Sequence, residues 1–392
     1  MPNQSFTQMR LRNAESVVNT VRQHREISRA DLARETGLSP ASITSIVDEL
    51  IRNGFLRETE PRFTMAGRRP IGLVFNPESG FVAGFQFELD SIKIIIDDLD
   101  GKMKYPSEQT SVSTTAESQE IVDLCLHLLK NACKNIGISP AAVRCIGMAV
   151  PGPVSEYSLD KDNRRPPELY NNVKSNLTKT LAVEVKIDSL VNSAALAEAM
   201  RGAGKDLDSM VYFRAGHALR SAILLENKLI KGKSQLAGDV GHIIIPGKEW
   251  LCSCGRKGCV NGIASVPSFI QLCRKSGINL NDVEDFPLLA GEGSDIFLKL
   301  IEDCAEAIAF AAAAAVNILA PDALVFSTPF HNCGAAFETP LANALSRFSQ
   351  QDLLRQCRVL KAQAKSPSEA YGAALSALHN YPLLDKSAAR KS

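Results

Sequence analysis

Four potential metal ligands lie close together in the second half of the chain: His242, Cys252, Cys254 and Cys259. Thiolate and imidazole groups are common zinc ligands, and a closed tetrahedral site needs four of them. Gly255 and Gly258 stand between the last two cysteines, where the backbone must turn sharply for the sulfur atoms to converge. We therefore predict structural rather than catalytic zinc, because four protein ligands leave no position for a reactive water. A disulfide pair with a spare thiol, or three unrelated buried cysteines, are the alternatives without a metal.

Around these residues the chain resembles the ROK family, which groups bacterial sugar-responsive repressors with sugar kinases. The family pattern is G-E-x-G-H followed by C-x-C-G-x-x-G-C-x-E, and residues 238–261 match it at every cysteine and glycine. Asp239 and Asn261 replace its two glutamates. In the family these acids contact the bound sugar, so the resemblance implies a zinc site and an altered sugar pocket. The residues that would line that pocket here are Ser189, Asp239, His242 and Asn261.

The composition is that of a soluble protein with two or three domains. The chain has 392 residues, of which 45% are hydrophobic and 22% are charged, and this is ordinary for globular domains. No apolar run reaches the length of about eighteen residues that a membrane-spanning helix needs. The N-terminus also lacks the apolar segment of a secretory signal. We expect a cytoplasmic protein without a membrane partner, in which the other seven cysteines are small buried hydrophobic residues.

Positive charge is concentrated at the N-terminal end. The whole chain has a formal net charge of +1, but residues 1–70 contain eleven arginines, no lysine and eight acidic residues, which gives +3. The rest of the chain therefore carries −2. A basic segment at one end of an otherwise neutral chain favours a nucleic-acid-binding region.

This basic segment has the pattern of a helix-turn-helix. Ser28 starts a short helix, Gly37 permits the turn after it, and Ser39 with Pro40 opens a second helix over about residues 40–53. Short hydroxyl side chains at a helix N-terminus can approach phosphates and base edges closely. The candidate DNA contacts of the second helix are Ser39, Ala41, Ser42, Thr44, Ser45 and Arg52. A protein-binding three-helix unit with a solvated polar face is the alternative.

A wing is predicted directly after these helices. Residues 55–58 and 71–75 alternate like two strands, and the polar segment between them carries Arg68 and Arg69. An extended arginine-bearing arm suits the narrow minor groove of A·T-rich DNA. ROK repressors have a Gly-Arg-Arg at this junction, which residues 67–69 match, so the resemblance implies an operator in double-stranded DNA as partner. Without that context, an arginine pair would more simply be a solvated turn.

The rest of the chain is expected to form α/β layers. Strand patterns at residues 81–87, 92–96 and 143–150 alternate with a helical pattern at residues 117–132. Over residues 80–378 the chain resembles the two-lobed, actin-like fold that ROK proteins share with sugar kinases.

The resemblance also implies domain boundaries. A winged helix-turn-helix would occupy residues 1–75, and a first α/β lobe residues 76–192. A second α/β lobe at residues 193–367 would hold the zinc motif and the surface that forms a homodimer or homotetramer. A last helix at residues 368–380 would return to the first lobe.

The parts that a ROK kinase needs for phosphoryl transfer do not match this chain. The family's three phosphate loops are rich in glycine, whereas the corresponding residues 86–90, 216–222 and 327–329 keep only Gly216. Glycine in such loops lets the backbone approach a phosphate. Leu190 stands where the family has its general base, and leucine cannot accept a proton. We therefore expect no ATP binding and no catalysis.

Together these features predict a transcriptional repressor of carbohydrate uptake or catabolism genes, with a small-molecule effector of unknown identity. A ROK-type sugar kinase with an appended DNA-binding head is one alternative. A body that binds no small molecule and acts as a dimer scaffold or docking surface is another. Because the pocket has lost carboxylates that would hold sugar hydroxyls, we expect glucose and N-acetylglucosamine to bind weakly or not at all.

Overall fold

The computed structural model describes residues 3–60, 63–64, 67–68, 71–152, 166–233, 235–364, 367–379 and 381. These residues form an N-terminal head and a body of two α/β lobes, each lobe built on a five-stranded sheet. Within these ranges, no helix combines the length and the apolar character that are needed to cross a membrane.

The head consists of three helices and a small antiparallel sheet. Its elements are α1 (Asn3–His24), β1 (Ile27–Ser28), α2 (Arg29–Thr36), α3 (Pro40–Arg52), β2 (Leu56–Glu58), β3 (Phe63–Thr64), β4 (Gly67–Arg68) and β5 (Gly72–Phe75). The three-stranded sheet has the order β1-β5-β2, and β3 pairs with β4 as a separate hairpin. The predicted helix-turn-helix and the two strands of the wing are confirmed.

The helix ends of the head follow the sequence signals. The Ser28 hydroxyl accepts a hydrogen bond from the Asp31 backbone at 3.2 Å, and the Ser39 hydroxyl accepts one from the Ser42 backbone at 3.2 Å. Gly37 has a left-handed φ of 69° after α2, which allows the tight turn into α3. The buried stripe of α3 packs in one core with α1 and β5, and it comprises Ile43, Ile46, Val47 and Leu50.

The first lobe has a mixed sheet covered by helices. Its elements are β6 (Phe81–Phe87), β7 (Ser91–Asp98), β8 (Met103–Ser111), α4 (Ser118–Asn135), β9 (Val143–Val150), α5 (Pro167–Leu181), β10 (Glu184–Ser189) and α6 (Leu190–Arg201). The strand order is β10-β9-β6-β7-β8, with β9 parallel to both β6 and β10. The edge strand β8 was not anticipated, because its exposed polar residues lack the alternation of a half-buried strand.

The second lobe also has a five-stranded sheet covered by helices, and it contains a longer helix, α10 (Asp295–Leu319). Its elements are β11 (Met210–Ala215), β12 (Leu219–Leu225), β13 (Lys228–Ile230), α7 (Asn261–Ala264), α8 (Val266–Lys275), α9 (Phe286–Glu292), α10 (Asp295–Leu319), β14 (Ala323–Ser327), α11 (Ala335–Phe348), α12 (Gln351–Gln356) and β15 (Arg358–Lys361). The strand order is β13-β12-β11-β14-β15. α10 is the buried, alanine-rich helix of this lobe.

The last helix, α13 (Ser368–His379), returns to the first lobe and packs on β6, β9 and α6. Gly372 allows α13 and α6 to approach closely, because a Cβ atom there would lie 1.7 Å from the backbone oxygen of Ser193. Beyond this contact, Leu378 and Tyr381 pack against the core of the head. α13 therefore connects the first lobe of the body with the core of the head.

Candidate functional sites

The four predicted metal ligands converge on one point. The ligand atoms of His242, Cys252, Cys254 and Cys259 all lie within 4.8 Å of one another. The Cys252 sulfur is 3.7 Å from His242 Nδ1, and the Cys254 sulfur is 3.8 Å from the Cys259 sulfur. Bonds of about 2.3 Å to a tetrahedral zinc would separate two sulfur atoms by about 3.8 Å. Three thiols and one imidazole in this arrangement could hold a metal ion.

The backbone of this metal loop, residues 242–259, is shaped by short-range pairing and by glycine. Ile244 pairs with Cys259, and Leu251 pairs with Lys257. Gly255 and Gly258 have φ angles of 86° and 78°, in the left-handed region that side chains rarely adopt. The predicted reversal of the chain between the cysteines is confirmed.

The thiols of the metal loop differ in environment. Burial raises the pKa of Cys259 to about 12. Burial also raises the pKa of Cys254, but hydrogen bonds with Arg256, Cys252 and Cys259 together outweigh burial and lower that pKa to about 6. Cys254 is therefore the thiol that most readily supplies a thiolate ligand.

The N-terminal half of α3 presents a polar face to solvent. The exposed residues of this face include Ser39, Ala41, Thr44 and Ser45, while Ser42 is half-buried, and Arg52 is exposed at the C-terminal end of α3. The core of the head positions α3, and at the surface Arg29 of α2 also pairs with Asp48 of α3 at 2.8 Å and with Glu58 of β2 at 2.9 Å.

Of the two predicted wing arginines, the structure describes the backbone of Arg68. Arg68 lies in β4, opposite Phe63 of β3. Arg69 lies outside the described residues, as do residues 61, 62, 65, 66 and 70 of the segment between β2 and β5. The contact of both arginines with DNA stays a prediction.

Between the two lobes, an ion cluster lies at the first of the segments that correspond to phosphate loops and next to the second. Arg214, at the end of β11, binds Glu369 at 3.0 Å and Glu88 at 3.4 Å. Gln86 donates a further hydrogen bond to Glu88 at 2.8 Å. Burial lowers the pKa of Arg214, but Glu369 and Glu88 raise it above its usual value. Two carboxylates at this position would repel a nucleotide phosphate.

Leu190, which stands in place of the family's general base, is buried among apolar side chains. Leu190 is buried against Ala149 at the end of β9 and Ala373 of α13. A carboxylate introduced there would be desolvated among apolar side chains. The neighbouring Ser189 caps α6, where its hydroxyl accepts a hydrogen bond from the Asn192 backbone at 3.2 Å.

A second ion pair crosses the cleft near Ser189. Asp188, at the end of β10 in the first lobe, is paired with Lys231 of the second lobe at 2.5 Å. Asp188 also accepts hydrogen bonds from the Ser189 backbone at 2.8 Å and from the Asn192 side chain at 2.7 Å. This pair lies beside a cavity of about 20 Å³ whose lining includes Ser189, Asn192, Arg220 and Asp239.

The structure brings together only part of the predicted sugar pocket. Ser189 and Asp239 line the same cavity, where Asp239 lies 3.4 Å from the Arg220 guanidinium. Asn261 is buried, and its side-chain oxygen accepts a hydrogen bond from the Leu219 backbone at 2.6 Å. His242 points to the cysteines of the metal loop instead.

The head and the body meet at the turn between β7 and β8. Arg22 of α1 donates to the Leu99 backbone oxygen at 2.6 Å and lies 3.3 Å from Asp100. Its guanidinium also stacks 4.0 Å above the ring of Phe75. On the other side of the same turn, Arg201 of α6 donates to the backbone oxygen of Gly101.

Several of these residues carried no recognisable signal in the sequence. Arg214, Lys231 and Arg22 are isolated basic residues, and only the fold reveals which carboxylates or carbonyls they meet. Asp188 is the exception, since it directly precedes the Ser189-Leu190 segment that was aligned with the family motif. A carboxylate at that end of β10 could have been flagged as a cleft residue.

Comparison with known proteins identifies relatives of both parts of the chain. The family model described as "ROK family" matches residues 84–380, and the model described as "Winged helix-turn-helix DNA-binding" matches residues 12–57. A xylose repressor of Caldicellulosiruptor bescii is 26% identical over 351 residues, which are 85% of this chain and 87% of that protein. An N-acetylglucosamine repressor of Shigella flexneri is 24% identical over 330 residues, 80% of each chain.

Solved structures show the same fold. A ROK family transcriptional regulator, described as a homolog of the Escherichia coli Mlc protein, superimposes with a TM-score of 0.80 at 21% identity. The match covers 96% of this chain and 98% of that one. A ROK hexokinase from Thermus thermophilus gives a TM-score of 0.64 at 19% identity and covers 76% of this chain and 97% of its own.

Proposed function

This chain belongs to the ROK family, and we propose that it is a non-catalytic transcriptional repressor that binds operator DNA and controls carbohydrate genes. The observation that carries the proposal is the exposed polar face of α3 on a winged helix-turn-helix that is joined to a ROK body. Two relatives are named as a xylose repressor and an N-acetylglucosamine repressor, which supports carbohydrate genes as the target of this chain.

In this proposal α3 enters the major groove of double-stranded DNA. Its N-terminal hydroxyls would contact base edges and phosphates, because short side chains there allow close approach. The wing would place arginines in the adjacent minor groove. The residues proposed to contact DNA are Ser39, Ala41, Ser42, Thr44, Ser45, Arg52, Arg68 and Arg69.

We propose that the operator is an A·T-rich palindrome bound by a homodimer or homotetramer. A two-fold assembly presents two α3 helices to successive major grooves, whose centres are about 34 Å apart. The second lobe is the proposed site of assembly, since the head and the cleft are then left free for DNA and effector.

The absence of catalysis is proposed from the interlobe cleft. Leu190 packs into the core at the position of the general base. Glu88, in the segment that corresponds to the first phosphate loop, and Glu369 of α13 both pair with Arg214, which lies two residues before the second such segment. A kinase needs the opposite arrangement, in which cations and bare backbone amides surround the phosphoryl group.

The metal loop is proposed to hold one structural zinc ion. His242, Cys252, Cys254 and Cys259 would bind it with all four protein positions filled, so that zinc would stabilise the loop rather than activate water. His242 is thereby assigned to the metal and not to an effector.

An effector, where one acts, is proposed to bind in the interlobe cleft beside Ser189 and Asp239. Asn261 would contribute indirectly, because its side chain holds the backbone of β12 at Leu219. The alternative is a body that serves only as an assembly scaffold. Calorimetric titration with candidate ligands separates these two proposals.

Footprinting of genomic DNA with the purified protein tests the repressor proposal. We expect protection of a palindrome close to carbohydrate genes. The double variant Thr44→Glu/Ser45→Glu should lose this protection, because two carboxylates would face phosphates. The matched control Ser175→Glu changes an exposed serine of α5 and should protect the same site. The proposal would be contradicted if the protein protected no specific DNA site, or if the double variant protected the same site as the parent protein.

A further inference from the structure

We propose that the second lobe has a small-molecule site outside the interlobe cleft, and that this site binds a small uncharged phenol through His331. The site is a cavity of about 290 Å³ between α11, α12 and the edge strand β15. The inference goes beyond the proposed regulatory function and does not depend on it.

The cavity and the first lobe lie on opposite sides of the second-lobe sheet. Phe326 of β14 lines the cavity and belongs to the core that α10 and α11 share. Its neighbour Val325 packs instead in a cluster with Ala194 and Ala195 of α6. Because successive side chains of a strand point to opposite faces, the sheet separates the cavity from α6. A ligand bound here would therefore leave the cleft between the lobes open.

The walls of the cavity are mostly apolar. They include Leu341 and Leu345 of α11, which are buried, together with Leu354 of α12 and the exposed Val359 of β15. Small-molecule sites usually measure about 300–1,000 Å³, so this cavity is at the lower end of that range. Its size and its walls suit a molecule with a single apolar ring.

His331 is a buried hydrogen-bonding group in the wall of this cavity. Its side chain is 14% exposed, and neither ring nitrogen has a hydrogen-bond partner among the described residues. The Glu338 carboxylate lies 3.7 Å from His331 Nδ1, which is longer than a hydrogen bond. A buried polar group without a partner is destabilising, and a ligand that supplies the partner would remove this penalty.

An ion pair beside His331 disfavours charged ligands. Lys361 at the end of β15 binds Glu338 and holds the pKa of that carboxyl below its ordinary value, so Glu338 is charged at neutral pH. Burial lowers the pKa of His331, and the charge of Lys361 lowers it further, so the imidazole is uncharged. Glu338 would repel a ligand carboxylate, and Lys361 would repel a ligand ammonium group.

A hydroxyl is the uncharged group that matches His331 in either tautomer. One nitrogen of a neutral imidazole donates and the other accepts, and a hydroxyl can do both. A carbonyl or an ether can only accept. An aromatic ring that carries the hydroxyl would also pack against the ring of Phe326 in the cavity wall. An apolar ring with one hydroxyl is a phenol.

Isothermal titration with three probes that share a toluene body tests this inference. p-Cresol carries a hydroxyl, 4-methylanisole carries an ether that cannot donate, and p-toluate carries a carboxylate. We expect p-cresol to bind once per chain with a Kd of about 1 mM or lower. It should bind at least about fivefold more tightly than either of the other probes, since each of them lacks a matched hydrogen bond.

Two cavity variants locate the binding site. His331→Phe keeps a ring against Phe337 and removes the hydrogen-bonding group, so p-cresol should bind no more tightly than 4-methylanisole. Ala342→Leu enlarges an exposed side chain that lines the cavity and should weaken p-cresol binding at least about fivefold. The control Asn343→Leu changes the next residue of α11, which is exposed and outside the cavity lining, and should bind like the parent protein.

A third variant tests the exclusion of anions. In Glu338→Gln the repelling carboxylate is removed and Lys361 remains, so p-toluate should bind more tightly than it does to the parent protein. The melting temperature of each variant is measured in parallel, so that a loss of binding is read only from folded protein.

Three results would overturn the inference. The first is no binding of p-cresol at millimolar concentrations, and the second is binding of 4-methylanisole or p-toluate as tight as that of p-cresol. The third is p-cresol binding that neither His331→Phe nor Ala342→Leu changes, which would place the phenol elsewhere on the protein. The operator footprint is a separate measurement, and its outcome does not alter these conclusions.

Discussion

Arg22 of the DNA-binding head donates a hydrogen bond of 2.6 Å to the backbone oxygen of Leu99 in the first lobe. Leu99 itself is buried in the hydrophobic core of the head. The two parts of the chain therefore share one core, with a charged hydrogen bond at its edge. Contacts of this kind define the orientation of the head on the body.

Arg22→Ala is expected to weaken this docking by about 2 kcal/mol, since a charged hydrogen bond to a part-buried carbonyl is lost. Thermal unfolding should then show a separate, earlier transition of the head. Arg12→Ala, at an exposed position of the same helix, is the control and should unfold like the parent protein. A single transition at the original temperature in Arg22→Ala would contradict the assigned contact.

If the wing contacts DNA, its arginines should contribute to the salt dependence of operator affinity. The double variant Arg68→Ala/Arg69→Ala should bind the operator more weakly, and the slope of log affinity against log salt should become shallower by about 1 to 2. The reason is that each arginine that neutralises a phosphate releases counterions. Fluorescence anisotropy over a range of salt concentrations measures both quantities, with Arg12→Ala as control. An unchanged affinity and slope would remove the wing from the DNA interface.

Phosphoryl transfer should be undetectable with ATP, Mg²⁺ and hexoses. Leu190 offers no base, and its side chain packs against Ala149 and Ala373. Leu190→Asp should therefore lower the melting temperature without creating activity, because a carboxylate would be buried without a partner. A coupled assay of ADP production reports activity, and an added authentic hexokinase shows that the assay works. Sugar-dependent ADP production by the parent protein would contradict the non-catalytic assignment.

The metal loop should contain about one zinc ion per chain after purification without chelators. Cys254→Ser should lose the metal and destabilise the loop, because metal binding and loop folding share one free energy. Cys254 suits this test, since it is exposed and its replacement leaves no hole in the core. The control Cys357→Ser alters a buried cysteine elsewhere and should keep its zinc. If elemental analysis finds no zinc in the parent protein, the proposed zinc site is wrong.

Because Asp97 is a buried carboxyl, we expect the free energy of unfolding of the protein to depend on pH. Burial raises the pKa of Asp97 to about 8, and neither oxygen has a hydrogen-bond partner among the described residues. In the unfolded chain this carboxyl ionises near pH 4. Between pH 4 and pH 8 folding therefore requires a proton, and each pH unit costs up to about 1.4 kcal/mol of stability.

Asp97→Asn removes this titration and keeps the shape of the protonated group. The melting temperature of the variant should exceed that of the parent by an amount that grows from pH 4 to pH 8 and then levels off. Asp123→Asn, at an exposed position on α4, should follow the parent at every pH. A constant difference between Asp97→Asn and the parent across this range would show that Asp97 does not titrate as expected.

Local signals in the sequence were sufficient for the head and the metal loop. Ser28, Gly37 and Ser39 act through contacts with residues three or four positions away, and so their roles can be inferred from spacing alone. The cysteines of the metal loop are likewise close in sequence, and the intervening glycines indicate the turn. Such features depend little on the rest of the fold.

The cleft could not be derived in this way. Lys231 and Asp188 are far apart in the sequence, and Arg214 meets Glu88 and Glu369 from three separate elements. A lone basic residue gives no indication of a distant partner. Comparison with the family motifs identified the acidic residues that are missing from the pocket. Only the packing of the two lobes shows that Arg214 and Lys231 form ion pairs between the lobes.

The contact of Gly372 with the Ser193 backbone has a mechanical consequence for the molecule. At that separation α6 and α13 are packed backbone against backbone, and we expect them to move together. One end of this pair is Ser189 in the cleft, and about 18 Å away the other end holds Arg201 at the Gly101 turn. Leu378 of α13 packs against the core of the head. We therefore expect a displacement of α6 at the cleft to shift α13 as well, and with it the contact between the first lobe and the head.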